Sequence, residues 1–142
     1  MIKFIGFVDS LASENETIPM ILEKISVGFP SPANDYLETP INLNHYLIKN
    51  PVATFLLRAS GQSMLDANIG DQSILIVDRS IKPKHHDIVV ASLDGEFLCK
   101  RLQLKPRVAL LPENQDYQPI YVNSGNHLEI MGVVIACINQ YI

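Results

Sequence analysis

Beyond Pro51 this chain becomes a succession of apolar, β-branched runs of strand length separated by polar turn clusters, a pattern that points to an all-β body. The runs are Ala53 to Arg58, Ser73 to Asp78, Asp87 to Ser92, Glu96 to Leu104, Arg107 to Leu111, Pro119 to Val122 and Leu128 to Ile138. Gly70-Asp71 and Asp94-Gly95 mark turns. The second is the stronger hairpin signal, because an Asp-Gly pair tolerates the positive φ values that a two-residue hairpin turn needs. It joins Asp87 to Ser92 with Glu96 to Leu104. No internal repeat, low-complexity tract or interdomain linker follows Pro51, so this body is expected to fold as one unit.

Residues 1–50 have another texture, with Pro19, Pro30, Pro32 and Pro40 punctuating short apolar pieces ahead of Pro51. The division is therefore an extended arm over 1–50 and a β-rich domain over 51–142. Within the arm, Thr17 to Val27 reads as a short helix with Pro19 in its first turn and Ile18, Leu22 and Ile25 along one face. Gly28-Phe29-Pro30-Ser31-Pro32 ends it, since proline cannot continue a helix and biases its predecessor to extended backbone. A second short helix is expected from Leu43 to Lys49, with Asn42 or Asn44 as cap.

Composition removes several function classes. The 142 residues suit one modest domain. Eleven basic and fifteen acidic side chains give a net charge of −4 with no cationic block, which argues against direct, sequence-specific DNA binding. Cys99 and Cys137 are the only cysteines and form no C-x-x-C pair, so neither a disulfide framework nor a zinc knuckle is implied, and a cytoplasmic location fits. The apolar run Phe4 to Val8 stops at Asp9, well short of a signal core or membrane span. His45, His85, His86 and His127 show no metal-binding spacing, and the adjacent His85 and His86 would point to opposite sides of a strand. No phosphate loop is present. No metal or other cofactor is expected.

Two residues carry candidate chemistry. Ser63 follows the glycine turn in Ala59-Ser60-Gly61-Gln62-Ser63-Met64-Leu65-Asp66, which would hold its hydroxyl clear of neighbours. Lys100 lies in Glu96-Phe97-Leu98-Cys99-Lys100-Arg101, where alternation places it on one face with Leu98 and Leu102. A free lysine titrates near 10.4, so serving as a base at neutral pH requires a depression of about three units, which apolar burial can supply. Arg101 cannot take that part because its guanidinium stays protonated. A helical turn over Met64 to Ile69 would aim backbone N–H groups at an incoming carbonyl, with the amides of Gln62 and Ser63 as an oxyanion hole. Spacing alone favours the plainer reading of a solvated strand lysine and a turn serine. The G-x-S here lacks the second glycine of a nucleophile elbow, and no S-x-x-K occurs.

The ordered motifs decide between these readings. Gly28-Phe29-Pro30-Ser31-Pro32-Ala33, Ala59-Ser60-Gly61-Gln62-Ser63-Met64, Leu75-Ile76-Val77-Asp78, Asp87-Ile88-Val89-Val90-Ala91, Asp94-Gly95-Glu96-Phe97, Lys100-Arg101-Leu102-Gln103-Leu104 and Met131-Gly132-Val133-Val134 run from about Gly28 to Val134. In them the chain resembles the UmuD-type accessory subunits of error-prone Y-family DNA polymerases, within the wider family of LexA-like self-cleaving serine peptidases. The resemblance implies a partly open, mostly β fold of the LexA/UmuD C-terminal type with an extended N-terminal arm. It also implies Ser63 as nucleophile, Lys100 as general base and a self-cleavage site at Val27-Gly28. The implied partners are a second copy of the chain, a RecA filament on single-stranded DNA that promotes the cut, and a Y-family polymerase catalytic subunit; no membrane is involved. The setting is the SOS response to DNA damage, where the shortened dimer permits translesion synthesis. The absence of an N-terminal winged-helix segment argues against a LexA-type repressor. Residues 29–50 would span up to roughly 70 Å fully extended, enough for Gly28 to reach Ser63 of its own chain or of a partner.

Three positions depart from the family pattern. Val27 stands where alanine or cysteine is usual, which implies slower cleavage. Leu98 replaces a threonine that would hydrogen-bond the lysine amine, leaving the base desolvated but less well oriented. His86 replaces a glycine before Asp87-Ile88-Val89, with no mechanism attached. Two alternatives stay open: a weakly cleaving or non-cleaving interaction module that binds or restrains the polymerase, and a signal-peptidase-like protease acting on other proteins.

Overall fold

The computed structural model describes the backbone of residues 2–7, 18–21 and 37–142, and side chains from Pro40 onward. The chain divides into two compact units, Met1–Val8 with Asn50–Ile142, and Asp9–Lys49.

The first unit is the β body. Its strands are β1 (Ile2–Phe7), β4 (Thr54–Ala59), β5 (Ile74–Asp78), β6 (Ile88–Leu93), β7 (Glu96–Gln103), β8 (Ala109–Leu111), β9 (Ile120–Tyr121) and β10 (Leu128–Ile138), while β2 (Ile18–Ile21) and β3 (Leu37–Ile41) belong to the second unit. The eight strands of the body form one sheet in the order β1-β4-β5-β10-β6-β7-β8-β9, antiparallel at every pairing. The seven runs read from the sequence all appear as strands, with ends shifted by no more than two residues.

The β6–β7 hairpin forms as expected, with Leu93 opposite Glu96 and both turn residues at positive φ, Asp94 at 51° and Gly95 at 86°. These are the angles of the mirror-image turn whose twist matches that of the flanking strands. Alternation then sorts side chains onto two faces. Phe55, Leu57, Leu75, Val77, Val90 and Cys99 build one buried cluster, and Val89, Ala91, Leu102, Leu110 and Val133 build the other.

The sheet is bent rather than flat. The register of β10 shifts between Ile130 and Gly132 against β6, and between Val134 and Ala136 against β5. Extra residues of this kind bend a strand and increase its twist. As a result, β1 at one edge also comes near β7, which lies five places along the sheet from it.

The N-terminal segment needs two corrections. Ile2–Phe7 pairs with Thr54–Ala59, so the first strand belongs with the β body and not with an arm. The helix expected over Thr17 to Val27 is a strand where the structure describes it, because Leu37–Ile41 offers a ladder to Ile18–Ile21. Pro19 lacks an N–H and sits where the register slips between Ile18 and Met20, a position proline tolerates in a two-stranded sheet. Residues 22–27 of that expected helix lie outside the described residues. The second helix does form, as α1 (Leu43–Leu47), capped by Asn42, whose side chain accepts from the His45 amide at 3.2 Å.

Candidate active site

The nucleophile candidate is presented by the loop that leaves β4. Gly61 adopts φ +99°, a value open to glycine at little cost, and its amide donates to Asp71 Oδ1 at 2.9 Å. The chain then turns through a short 3₁₀ segment, Leu65–Ala67, which Asn68 ends with φ 63°. This is the helical turn expected over Met64 to Ile69, tighter and shorter than an α-helix. Met64 and Ile69 are buried beneath it and anchor the loop in the first cluster.

Across the sheet, Lys100 stands on β7 opposite Val89, with Leu98 and Leu102 two residues to either side on the same face. Its Nζ donates to Ser63 Oγ at 2.7 Å. Burial lowers the Lys100 pKa below the ordinary lysine value of 10.5, against a smaller opposing effect of Cys99. Leu98 offers the amine no hydrogen bond, and among the described residues Ser63 is the partner that orients it. The two side chains face a small cavity of about 30 Å³ with Gly61, Met64, Ile69, Leu98 and Cys99 along its walls. Burial pushes the Cys99 thiol up to about 11, so it carries essentially no thiolate at neutral pH and does not compete as a nucleophile.

The loop is held from the far side by residues that sequence reasoning passed over. The Glu113 amide donates to the Ser63 carbonyl at 2.8 Å, and the Asp66 amide donates to the Glu113 carbonyl at 2.8 Å. Asn114 Nδ2 donates to the Gln62 carbonyl, also at 2.8 Å. In a trans peptide the carbonyl and the following N–H point in opposite directions, so the Ser63 N–H is directed away from Asn114. Glu113 and Asn114 lie in the polar run Pro112 to Asp116, which has no periodicity to mark it as more than a loop.

His85 and His86 do not lie on a strand pointing to opposite sides. They occupy a turn before β6 with rings stacked 3.9 Å apart, because His86 takes φ 76° and reverses the chain. His85 Nδ1 accepts from the Leu104 amide at 2.9 Å. Among the described residues no cluster of three or more metal-ligating side chains exists, and no helix is long and apolar enough to cross a membrane. Val27 and Gly28 lie outside the described residues. A larger cleft, about 620 Å³, runs beside Arg58, Asp71, Ser73, Asn139 and Tyr141 and shares no wall residue with the Ser63–Lys100 cavity.

The chain is similar to known proteins over most of its length. The chain is 46% identical to protein MucA of Escherichia coli over 129 residues, 90% of this chain and 88% of the relative. It is 48% identical to protein SamA of Salmonella typhimurium over 124 residues, 87% and 86% of the two. It is 32% identical to the LexA repressor of Vibrio atlanticus over 135 residues, 94% of this chain and 65% of the repressor. Residues 19–135 match the family model described as Peptidase S24-like, and at that coverage the chain belongs to the Peptidase S24-like family.

Proposed function

We propose that this protein is a serine peptidase with a Ser63–Lys100 dyad that cuts its own chain between Val27 and Gly28, as a regulated accessory factor of a translesion DNA polymerase in the SOS response. The observation that carries the reading is the 2.7 Å contact between Ser63 Oγ and a lysine amine whose pKa burial lowers. A neutral amine along that line accepts the Oγ proton as Oγ adds to the Val27 carbonyl carbon. The developing oxyanion is received by the amides of Gln62 and Ser63. Collapse of the adduct breaks the Val27–Gly28 bond, and Lys100 returns the proton to the departing Gly28 amine. An ester between Val27 and Ser63 remains, and water activated by the same amine hydrolyses it. RecA filaments on single-stranded DNA promote the reaction, and the shortened homodimer is the form that joins a Y-family polymerase subunit. These partners rest on the resemblance to UmuD-type chains.

The test is an intact-mass time course at alkaline pH, and again with RecA on single-stranded DNA. The wild-type chain is expected to yield residues 28–142, while Ser63→Ala and Lys100→Ala stay at full length. Cutting at Val27-Gly28 in either variant removes that residue from its role. The sign of the pH dependence follows from the base. Below the Lys100 pKa most chains hold an ammonium and the rate climbs with pH, then levels once the amine is neutral. A rate that is flat between about pH 7 and pH 10 argues against a lysine that titrates in that interval.

A further inference from the structure

Lys100 and its neighbour Arg101 point to opposite faces of β7, and the second of them has no part in the proton transfers above. Arg101 pairs with Leu111 across the β7–β8 ladder, and Glu113 lies two residues beyond Leu111, which makes it the diagonal neighbour of Arg101 on the same face. The two side chains form an ion pair from Arg101 Nε to Glu113 Oε1, with each side chain about 30% exposed. Arg101 Nη1 also donates to the His86 carbonyl at 2.7 Å, and the His86 amide donates to the Leu102 carbonyl at 2.7 Å. Through its backbone, Glu113 holds both Ser63 and Asp66. One guanidinium thus ties the lysine strand, the turn before β6 and the strap that grips the serine loop.

We propose that the Arg101–Glu113 ion pair is a positioning clamp that sets the distance between Ser63 and Lys100. The proposal rests on the dyad reading but concerns a different pair of residues. Cleavage requires Oγ and Nζ in hydrogen-bond range, and apart from the Lys100–Ser63 bond itself, no other ion pair among the described residues links β7 to the segment that holds the serine loop. Without the clamp, Glu113 and the serine loop drift together from the strand, and water reaches the Lys100 amine. A displacement of this kind is worth up to about a hundredfold in rate. The titratable group that acts on Lys100 is the neighbouring Cys99 thiol, while Arg101 and Glu113 pair with each other on the opposite face of β7.

The experiment compares wild type, Arg101→Ala, Glu113→Gln and the double variant. Glu113→Gln keeps the backbone bonds and nearly the side-chain shape, so it tests the charge without emptying the site. Two quantities are read: the self-cleavage rate at one alkaline pH, and the titration midpoint of Lys100 from competitive acetylation with trace acetic anhydride followed by peptide mass analysis. Each single variant is expected to cut about 10- to 100-fold more slowly. The double variant should be no slower than the worse single one, because both remove the same link. The Lys100 midpoint should rise toward that of a free lysine. Multiplying losses in the double variant, or slowed cutting with an unmoved midpoint, overturns the clamp, as do wild-type rates in both single variants. If the wild-type chain does not cut at all, the peptidase reading fails, and the Lys100 midpoint alone decides this proposal.

Discussion

His86 is the residue whose departure from the family pattern the structure explains. Its φ of 76° lies where glycine is the low-cost choice, which accounts for the usual glycine there, and its carbonyl is the one Arg101 holds. Under the proposed cut at Val27-Gly28, Val27 is the departure with an expected kinetic consequence. The cavity beside Ser63 and Lys100 is about 30 Å³, walled by Met64, Ile69, Leu98 and Cys99, and a side chain seated there in the proposed reaction would have to be small. Valine adds two methyl groups to alanine, and overpacking of that size costs about 1 to 3 kcal/mol. Felt in the transition state, that strain slows cutting roughly 5- to 150-fold. Val27→Ala is therefore expected to cut itself faster by a comparable factor, measured as first-order rates at a single alkaline pH and with RecA filaments. Equal rates would mean that docking of the segment, not local fit, limits the reaction.

At the scale of elements, β10 does most to shape the sheet, since it lies between β5 and β6 and carries two register shifts. Gly132 sits at one of them, where a Cβ would stand 2.7 Å from Val77 Cγ1 and 3.0 Å from the Asp78 carbonyl oxygen. Val77 is fully buried and the Asp78 oxygen is backbone, so neither neighbour has room to yield. Gly132→Ala is expected to destabilise the fold by about 1 to 3 kcal/mol, read as a lower urea midpoint. An unchanged midpoint would show that the bulge can slide to make room. Asp78 itself is buried beside this point. Burial alone would raise its pKa, but bonds from the Ser80 hydroxyl and amide and from Asn50 Nδ2 outweigh that and hold it below the ordinary carboxylate value.

For the whole molecule, the position of β1 gives the proposed self-cleavage a structural consequence. A cut before Gly28 separates both β1 and β2 from residues 28–142, and β1 is the strand that covers the outer edge of β4. Edge strands with free N–H and C=O groups are templates for further pairing. After the cut and dissociation of the N-terminal fragment, amides on the β1-facing side of Thr54–Ala59 should exchange with deuterium faster than in uncut Ser63→Ala, while those of the β6–β7 hairpin stay as they were. Unchanged exchange in Thr54–Ala59 would mean that the fragment stays paired after cleavage.

Local chemistry was enough to read most of the β body. Alternating apolar runs and the Asp94-Gly95 turn are short-range signals, so the seven strands after Pro51 and the faces of β7 followed from residues within a few positions of one another. The 3₁₀ turn after Ser63 and the helix capped by Asn42 followed in the same way. Pairing partners far apart in the chain did not. Ile18–Ile21 reads as a helix until Leu37–Ile41 offers it a ladder, and Ile2–Phe7 carries nothing that names Thr54–Ala59 as its neighbour. The site shows the same limit. Ser63 and Lys100 were singled out by their surroundings and by family resemblance, yet β4 and β7 are four strand spacings apart, about 19 Å in a flat sheet. Only the curl of the sheet, with the loop from β4 folded back and the Glu113 strap holding it, brings their side chains within a hydrogen bond. That distance depends on bulges and loop contacts summed over the whole body, and no window of sequence contains them.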